Sequence, residues 1–209
     1  MRKLLLLFMI SVAVNSSAQV KLEEIVKPGT KLIYGVKSDQ GEYDFIVTVK
    51  DIKGASFDWE MTAPANMKGT INHTSKALAN AFKMYNFFQN ETKTLDDNTL
   101  SVWISQKVFS TFAKGKDAMK MCMNNPEDDP AFMKDVVDGD LVIKVDGNGT
   151  KVHDRIVKPA KKVGDKWIID PRSDDFFSYN NSAAFPIICR MHTNFTITLK
   201  EVKTLNPSR

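Results

Sequence analysis

The sequence predicts a mainly β protein: one domain on a curved antiparallel sheet, an open β-barrel or a sandwich, with two short helices. Three observations carry that expectation. Apolar and polar residues alternate with a period of two in several segments, as in strands with one dry face and one wet face. Strand-like segments far outnumber helix-like ones. Regular strand–helix alternation is missing, which argues against a doubly wound parallel sheet. The chain has 209 residues, 43% hydrophobic and 26% charged. That composition excludes collagen, low-complexity disorder and a coiled coil.

The elements follow in chain order. Pro28-Gly29 marks the entry, Thr30 to Val36 reads as a strand, and Asp39-Gln40-Gly41 as a turn. Tyr43 to Ile52 is a long strand, with Tyr43, Phe45, Val47 and Val49 on one face. After Lys53-Gly54, Phe57, Trp59 and Met61 alternate with Asp58 and Glu60; Pro64 breaks this strand and Gly69 to Thr74 continues the sheet. Thr74 is placed to cap a helix over Ser75 to Phe87, whose apolar residues recur at helical spacing. Leu100 to Ile104 is a short strand. Ser105 is placed to cap a second helix, which Gly115 ends. Met119 to Met123 alternates like a strand. Leu141 to Val145 and Thr150 to Val157 flank Asp146-Gly147-Asn148-Gly149, the strongest hairpin signal in the chain. Lys166 to Asp170 is a short strand, Asp174 to Ala184 a loop, and Ile187 to Val202 the last long strand.

The N-terminus carries an address. Arg2 and Lys3 precede an apolar run from Leu4 to Val14, and Ser16-Ser17-Ala18 sets small residues before Gln19. This is the three-part pattern of a secretory signal peptide, cleaved between Ala18 and Gln19. Residues 1–18 are then leader and 19–209 a single exported β-rich domain. The run is shorter than the roughly 20 residues a spanning helix needs, and no later segment is long and apolar enough. The expected location is the periplasm or cell envelope of a Gram-negative bacterium. The formal net charge is +4, and removing Arg2 and Lys3 halves it. Such a balance does not suit a nucleic-acid binder.

Export places Cys122 and Cys189 in an oxidising compartment, where an even count makes them a candidate disulfide. The bridge would close a loop of about 67 residues and contribute roughly 4 kcal/mol. Two buried free thiols are the alternative.

The residues offer little chemistry. His73, His153 and His192 match no compact metal-ligand spacing, and no H-E-x-x-H occurs. Asp146 to Thr150 begins like a calcium loop but has Lys151 at its sixth position and Val157 at its twelfth. Glu127, Asp128, Asp129, Asp135, Asp138 and Asp140 are acidic enough for a looser oxygen site, though charge runs in loops are usually just solvated. No metal and no cofactor is expected. No Gly-rich phosphate loop and no nucleophile elbow is present. Asp58 and Glu60 share one strand face about 7 Å apart, a spacing any D-x-E on a strand would give.

Aromatic residues gather on or near the helices. Phe82, Tyr85, Phe88, Trp103, Phe109 and Phe112 are candidate lining for an apolar-ligand pocket, or else the sheet–helix core.

The chain resembles exported β-rich proteins of Bacteroidetes-type bacteria, a family with no established activity. The resemblance rests on Ser-Ser-Ala-Gln at 16–19, on Tyr43-Asp44-Phe45 leading into Phe57 to Met61, on Val102-Trp103-Ile104-Ser105, and on Phe185-Pro186-Ile187-Ile188. It implies an address and a β fold, and carries over no catalytic residue.

The favoured reading is a non-catalytic exported envelope protein of unknown role, one that binds a ligand or a protein partner or serves the envelope structurally. One alternative is a carrier of an apolar, lipid-like ligand in a cavity behind the helices. The other is a small envelope hydrolase with a carboxylate–histidine site.

Overall fold

A computed structural model describes residues 19–115, 118–123, 127 and 129–205. The leader, with Ala18 of the expected cleavage site, and residues 124–126 and 128 of the acidic loop lie outside them.

The described chain enters at Gln19, which forms a parallel bridge to Lys151, and the one-turn helix α1 (Leu22–Ile25) buries Leu22. Then β1 (Lys31–Ser38), β2 (Gly41–Val49), β3 (Ser56–Met61) and β4 (Met67–Asn72) pair antiparallel in sequence order. The predicted period is what folds them: Phe45, Val47 and Val49 of β2 and Phe57 and Trp59 of β3 are buried, and their neighbours are not. Gly54 turns β2 into β3 at φ +83°, and a Cβ there would sit 2.7 Å from the Trp103 ring, so only glycine lets that indole close over the turn.

Next come α2 (Ser75–Asn80), β5 (Lys83–Met84), β6 (Thr92–Thr94), β7 (Thr99–Leu100), α3 (Gln106–Ala113) and β8 (Met119–Met121). Both predicted caps are made: Thr74 Oγ1 accepts from Ala77 N–H and Ser105 Oγ from Val108 N–H. The first helix is shorter than the spacing predicts, ending at Asn80 instead of Phe87. From Ala81 the backbone is extended, and its bonds go elsewhere: Met84 N–H donates to Cys122 O and Tyr85 N–H to Leu100 O. An aromatic run gains little as a helix and much as a pleated strip between two other segments.

The long hairpin of β9 (Ala131–Val145) and β10 (Asn148–Val163) turns at Asp146 (φ +47°) and Gly147 (φ +87°), with Val145 opposite Asn148. Then follow β11 (Lys166–Ile169), β12 (Phe176–Asn180), β13 (Ile188–His192) and β14 (Thr196–Lys203). Two expectations change here. The expected Asn/Ser-rich loop contains β12, because Phe177 and Tyr179 bury against α3. The expected single last strand is a hairpin, turned at residues 193–195 by Thr193 N–H donating to Phe195 O.

The strands form one mixed sheet of 12, ordered β6-β4-β3-β2-β1-β14-β13-β12-β10-β9-β8 with β11 on β10, beside the small pair β5–β7. The expected sheet is antiparallel; β4–β6, β9–β14 and β5–β7 are parallel. The β9–β14 pairing matters most. One edge of β14 carries β1; the other carries β13 first and then β9, at Glu201↔Lys144 and Val202↔Val145. The sheet thus closes into a ring through β14, β13, β12, β10 and β9, and β1 to β4 leave it as an open wing. Bulges at Ile33/Tyr34, Ile156/Val157 and Ser178/Tyr179 supply the bending.

Among the described residues two large apolar clusters and a small one at Ala77, Ala81 and Leu100 fill the fold. The larger joins the wing to the ring through Tyr34, Phe45, Phe57, Trp59, Trp103 and Val152. The second lies under α3, where Val108 and Phe112 meet Met133, Phe177 and Tyr179. Among the described residues no helix is long and apolar enough to cross a membrane.

The cysteines settle against the candidate disulfide: Cys122 and Cys189 are both buried and not bridged to each other. Cys122 is pinned by its backbone between Phe82 and Met84, while Cys189 sits on β13 in the larger cluster. Burial raises the Cys189 thiol pKa well above its usual value.

Candidate functional site

An apolar concavity lies where the wing faces the β13–β14 turn. Its wall on the wing is Val36 of β1, Tyr43 and Phe45 of β2, Met61 of β3 and Met67 of β4. Phe195 and Ile197 face them, and the extended segment 86–89 forms the third side. The groove measures about 470 Å³, within the range of roughly 300–1,000 Å³ of small-molecule sites. Phe88 anchors the third side, its ring centroid 4.6 Å from that of Phe45 and 5.0 Å from that of Trp59. In an extended chain its neighbour points the other way. Phe87 is therefore 55% exposed beside the groove.

Below the groove, and sharing Phe45, Asn86, Phe88 and Ile197 with it, is a chamber of about 30 Å³.

Of the six aromatic candidates, Phe88 lines this groove and Tyr85 supports Phe88 from beneath, with ring centroids 5.8 Å apart. Trp103 is core, packed on Phe57 and Phe185. Phe109 and Phe112 sit on α3 against Tyr179. Phe82 is half-buried at the start of the extended segment. The fold does not bring these six together, and behind α3 Val108 and Phe112 are packed core. Sequence reasoning missed Val36, Tyr43, Met61, Met67, Phe195 and Ile197 as lining. The alternation on β2 showed which face Tyr43 and Phe45 share, but nothing local shows that β14 stands opposite.

The carboxylate pair lies on the opposite face of the wing, in a polar depression of about 540 Å³. Lys50 Nζ lies 3.3 Å from Asp58 and Lys31 Nζ 3.1 Å from Glu60, while Thr70 Oγ1 donates to Asp58 at 2.6 Å. Both acids are half-exposed and already neutralised by a lysine, an arrangement that suits a solvated ion-pair ladder.

The histidines separate. His73 is buried. Its Nδ1–H donates to Gly54 O at 2.5 Å and its Nε2 accepts from Ser101 N–H at 3.0 Å, so both nitrogens are used by a neutral ring. Burial lowers its pKa to about 4. His153 lies between Asp138 and Asp140, 3.5 Å from each, on the half-exposed outer face of the hairpin. His192 Nδ1 contacts Thr196 Oγ1 at 2.9 Å. Of the acids considered for calcium, Asp135 pairs with Arg155, Asp138 with Arg155 and His153, and Asp140 with Lys151. Among the described residues no group of three or more His, Cys, Asp or Glu is placed to hold a metal ion.

One ion pair has a fully buried acid and a partly buried base. Asp154 on β10 is inaccessible to solvent, and Arg190 donates to its Oδ2 through Nε (2.9 Å) and Nη2 (2.6 Å). A Cβ on Gly139 would lie 2.8 Å from Asp154 Oδ1. The pair belongs to the ring's structure and lines none of the concavities above.

No protein-family model and no curated protein matches this chain.

Proposed function

We propose that this protein is an exported, non-catalytic binding protein of the Gram-negative envelope, and that the groove under Phe87 and Phe88 holds its ligand. The observation that carries the reading is the groove's chemistry. Ten of its sixteen lining residues are apolar, among them Val36, Tyr43, Phe45, Met67, Phe88 and Ile197, and Asp39 at the rim brings the one charge. A site of that kind gains affinity from apolar area removed from water. Export rests on the leader pattern of residues 1–18, and the resemblance to the exported β-rich family rests on residues 16–19 with the blocks at 43–45, 57–61, 102–105 and 185–188. The hydrolase alternative gains nothing from Asp58 and Glu60, which are tied to lysines.

The test is native mass spectrometry of the protein purified from its own host's envelope, with binding of a neutral fluorescent dye such as N-phenyl-1-naphthylamine. Extra mass that leaves on denaturation, and dye binding weakened at least several-fold by Phe87→Ala, are expected; Phe87 is exposed enough for that change to spare the fold. A bare mass together with dye binding indifferent to Phe87→Ala and Phe195→Ala overturns the reading.

A further inference from the structure

The chamber beneath the groove has an unmet hydrogen-bonding group. Ser101, one of its lining residues, is 1% exposed, and its Oγ has no hydrogen-bond partner among the described residues. Its backbone is fully engaged: the N–H donates to His73 Nε2 and the carbonyl accepts from Trp103 N–H at 2.7 Å. The other polar side chains of the lining are satisfied, Tyr34 by donating to Ile188 O at 2.9 Å and Asn86 by donating to Met123 O at 2.8 Å. An orphaned buried hydroxyl is costly and uncommon.

A second observation falls on the next residue. Val102 also lines the chamber and holds φ +66°, a conformation that a β-branched residue avoids. Its carbonyl accepts from Ile188 N–H at 2.6 Å, so the β13 backbone holds it there. Such strain gathers where a site must be shaped. Here it sets Ser101 and Val102 together in the chamber wall.

The chamber also excludes charge. Its lining is Tyr34, Asn86, Ser101 and apolar side chains, with no cation or carboxylate, so an ionised group would enter without a counter-charge. At about 30 Å³ it admits one group of hydroxyl size. The chamber shares Phe45, Asn86, Phe88 and Ile197 with the apolar groove.

We infer that the ligand is an elongated neutral lipid with an uncharged hydrogen-bonding end, a hydroxyl or carbonyl, which enters the chamber and bonds Ser101 Oγ while its hydrocarbon lies along the groove to Phe87. This rests on the groove being the ligand site, and deepens that reading by naming the ligand's class. A primary alcohol is its simplest form.

The probes are octan-1-ol, octane and octanoate, compared by displacement of N-phenyl-1-naphthylamine at equal free concentration from the full mature chain. Octan-1-ol should bind about five- to tenfold tighter than octane, the worth of one net hydrogen bond. Octanoate should bind more weakly than the alcohol. Ser101→Ala should erase the alcohol's advantage and leave octane unchanged. Because the hydroxyl is unpartnered, the same variant without ligand should melt at or above the parent temperature, and Ser101→Thr should keep part of the preference. Equal binding of alcohol and octane, or tighter binding of octanoate, overturns the inference and leaves the groove standing. So does Ser101→Ala lowering the ligand-free melting temperature with the alcohol preference intact. Failure of all three probes and the dye to bind overturns the groove itself.

Discussion

His73 shows how one side chain ties distant segments together. It ends β4, yet its two nitrogens satisfy the Gly54 carbonyl of the β2–β3 turn and the Ser101 amide below the groove. Protonation would turn Nε2 into a donor facing a donor. Its folded pKa, about 4, lies below the unfolded value near 6.5. The unfolded chain therefore binds the proton more readily, so stability is complete above pH 6.5 and falls as pH drops toward 4. The full loss is about 3 kcal/mol, at 1.36 kcal/mol per pKa unit. Denaturant titrations between pH 7 and 4 should show it, with a flatter profile in His73→Gln. A parallel profile in that variant would refute the role. The interacting partners here stand in sequence 19 and 28 residues away, so only the histidine's existence was legible, not its work.

At the scale of elements, local rules were readable where a side chain meets its own backbone. Thr74 and Ser105 cap helices because each hydroxyl reaches an amide three residues on. The Asp146-Gly147 turn formed because both residues tolerate positive φ. Ser105 does more than cap: its Oγ–H donates to Ala81 O at 2.7 Å, just where the first helix gives way to extended chain. Ser105→Ala should therefore cost more than the roughly 1 kcal/mol of a plain cap, since a buried carbonyl also loses its partner; about 2–3 kcal/mol in urea unfolding is expected. A loss near 1 kcal/mol would mean that Ala81 O finds another donor. The unwound segment 81–89 was not legible, because its apolar spacing fits a helix equally well. Contacts with Asn98, Leu100 and Cys122 decided it.

For the whole molecule, long-range pairings decide which of the features present in the sequence come together. Cys122 and Cys189 are each held by their own surroundings, in spite of an even count and an expected oxidising compartment. A reductant should therefore leave the melting temperature unchanged, and thiol titration should find two reactive groups only after denaturation. A mass lower by two hydrogens, or a drop of several degrees with reductant, would contradict the fold as described. The pairing of β14 with β1 sets Val36 between Ile197 and Tyr43, and so brings Phe195 and Ile197 to the groove. The β fold, the strand faces, the caps and the hairpin turn were determined by the sequence alone, because period-two patterning, capping hydroxyls and Gly-containing turns act within a few residues. The groove, the chamber at Ser101, the neutral His73 and the unbridged cysteines were decided by tertiary structure, because each depends on which distant strand lies opposite, and pairings across long loops leave no local mark.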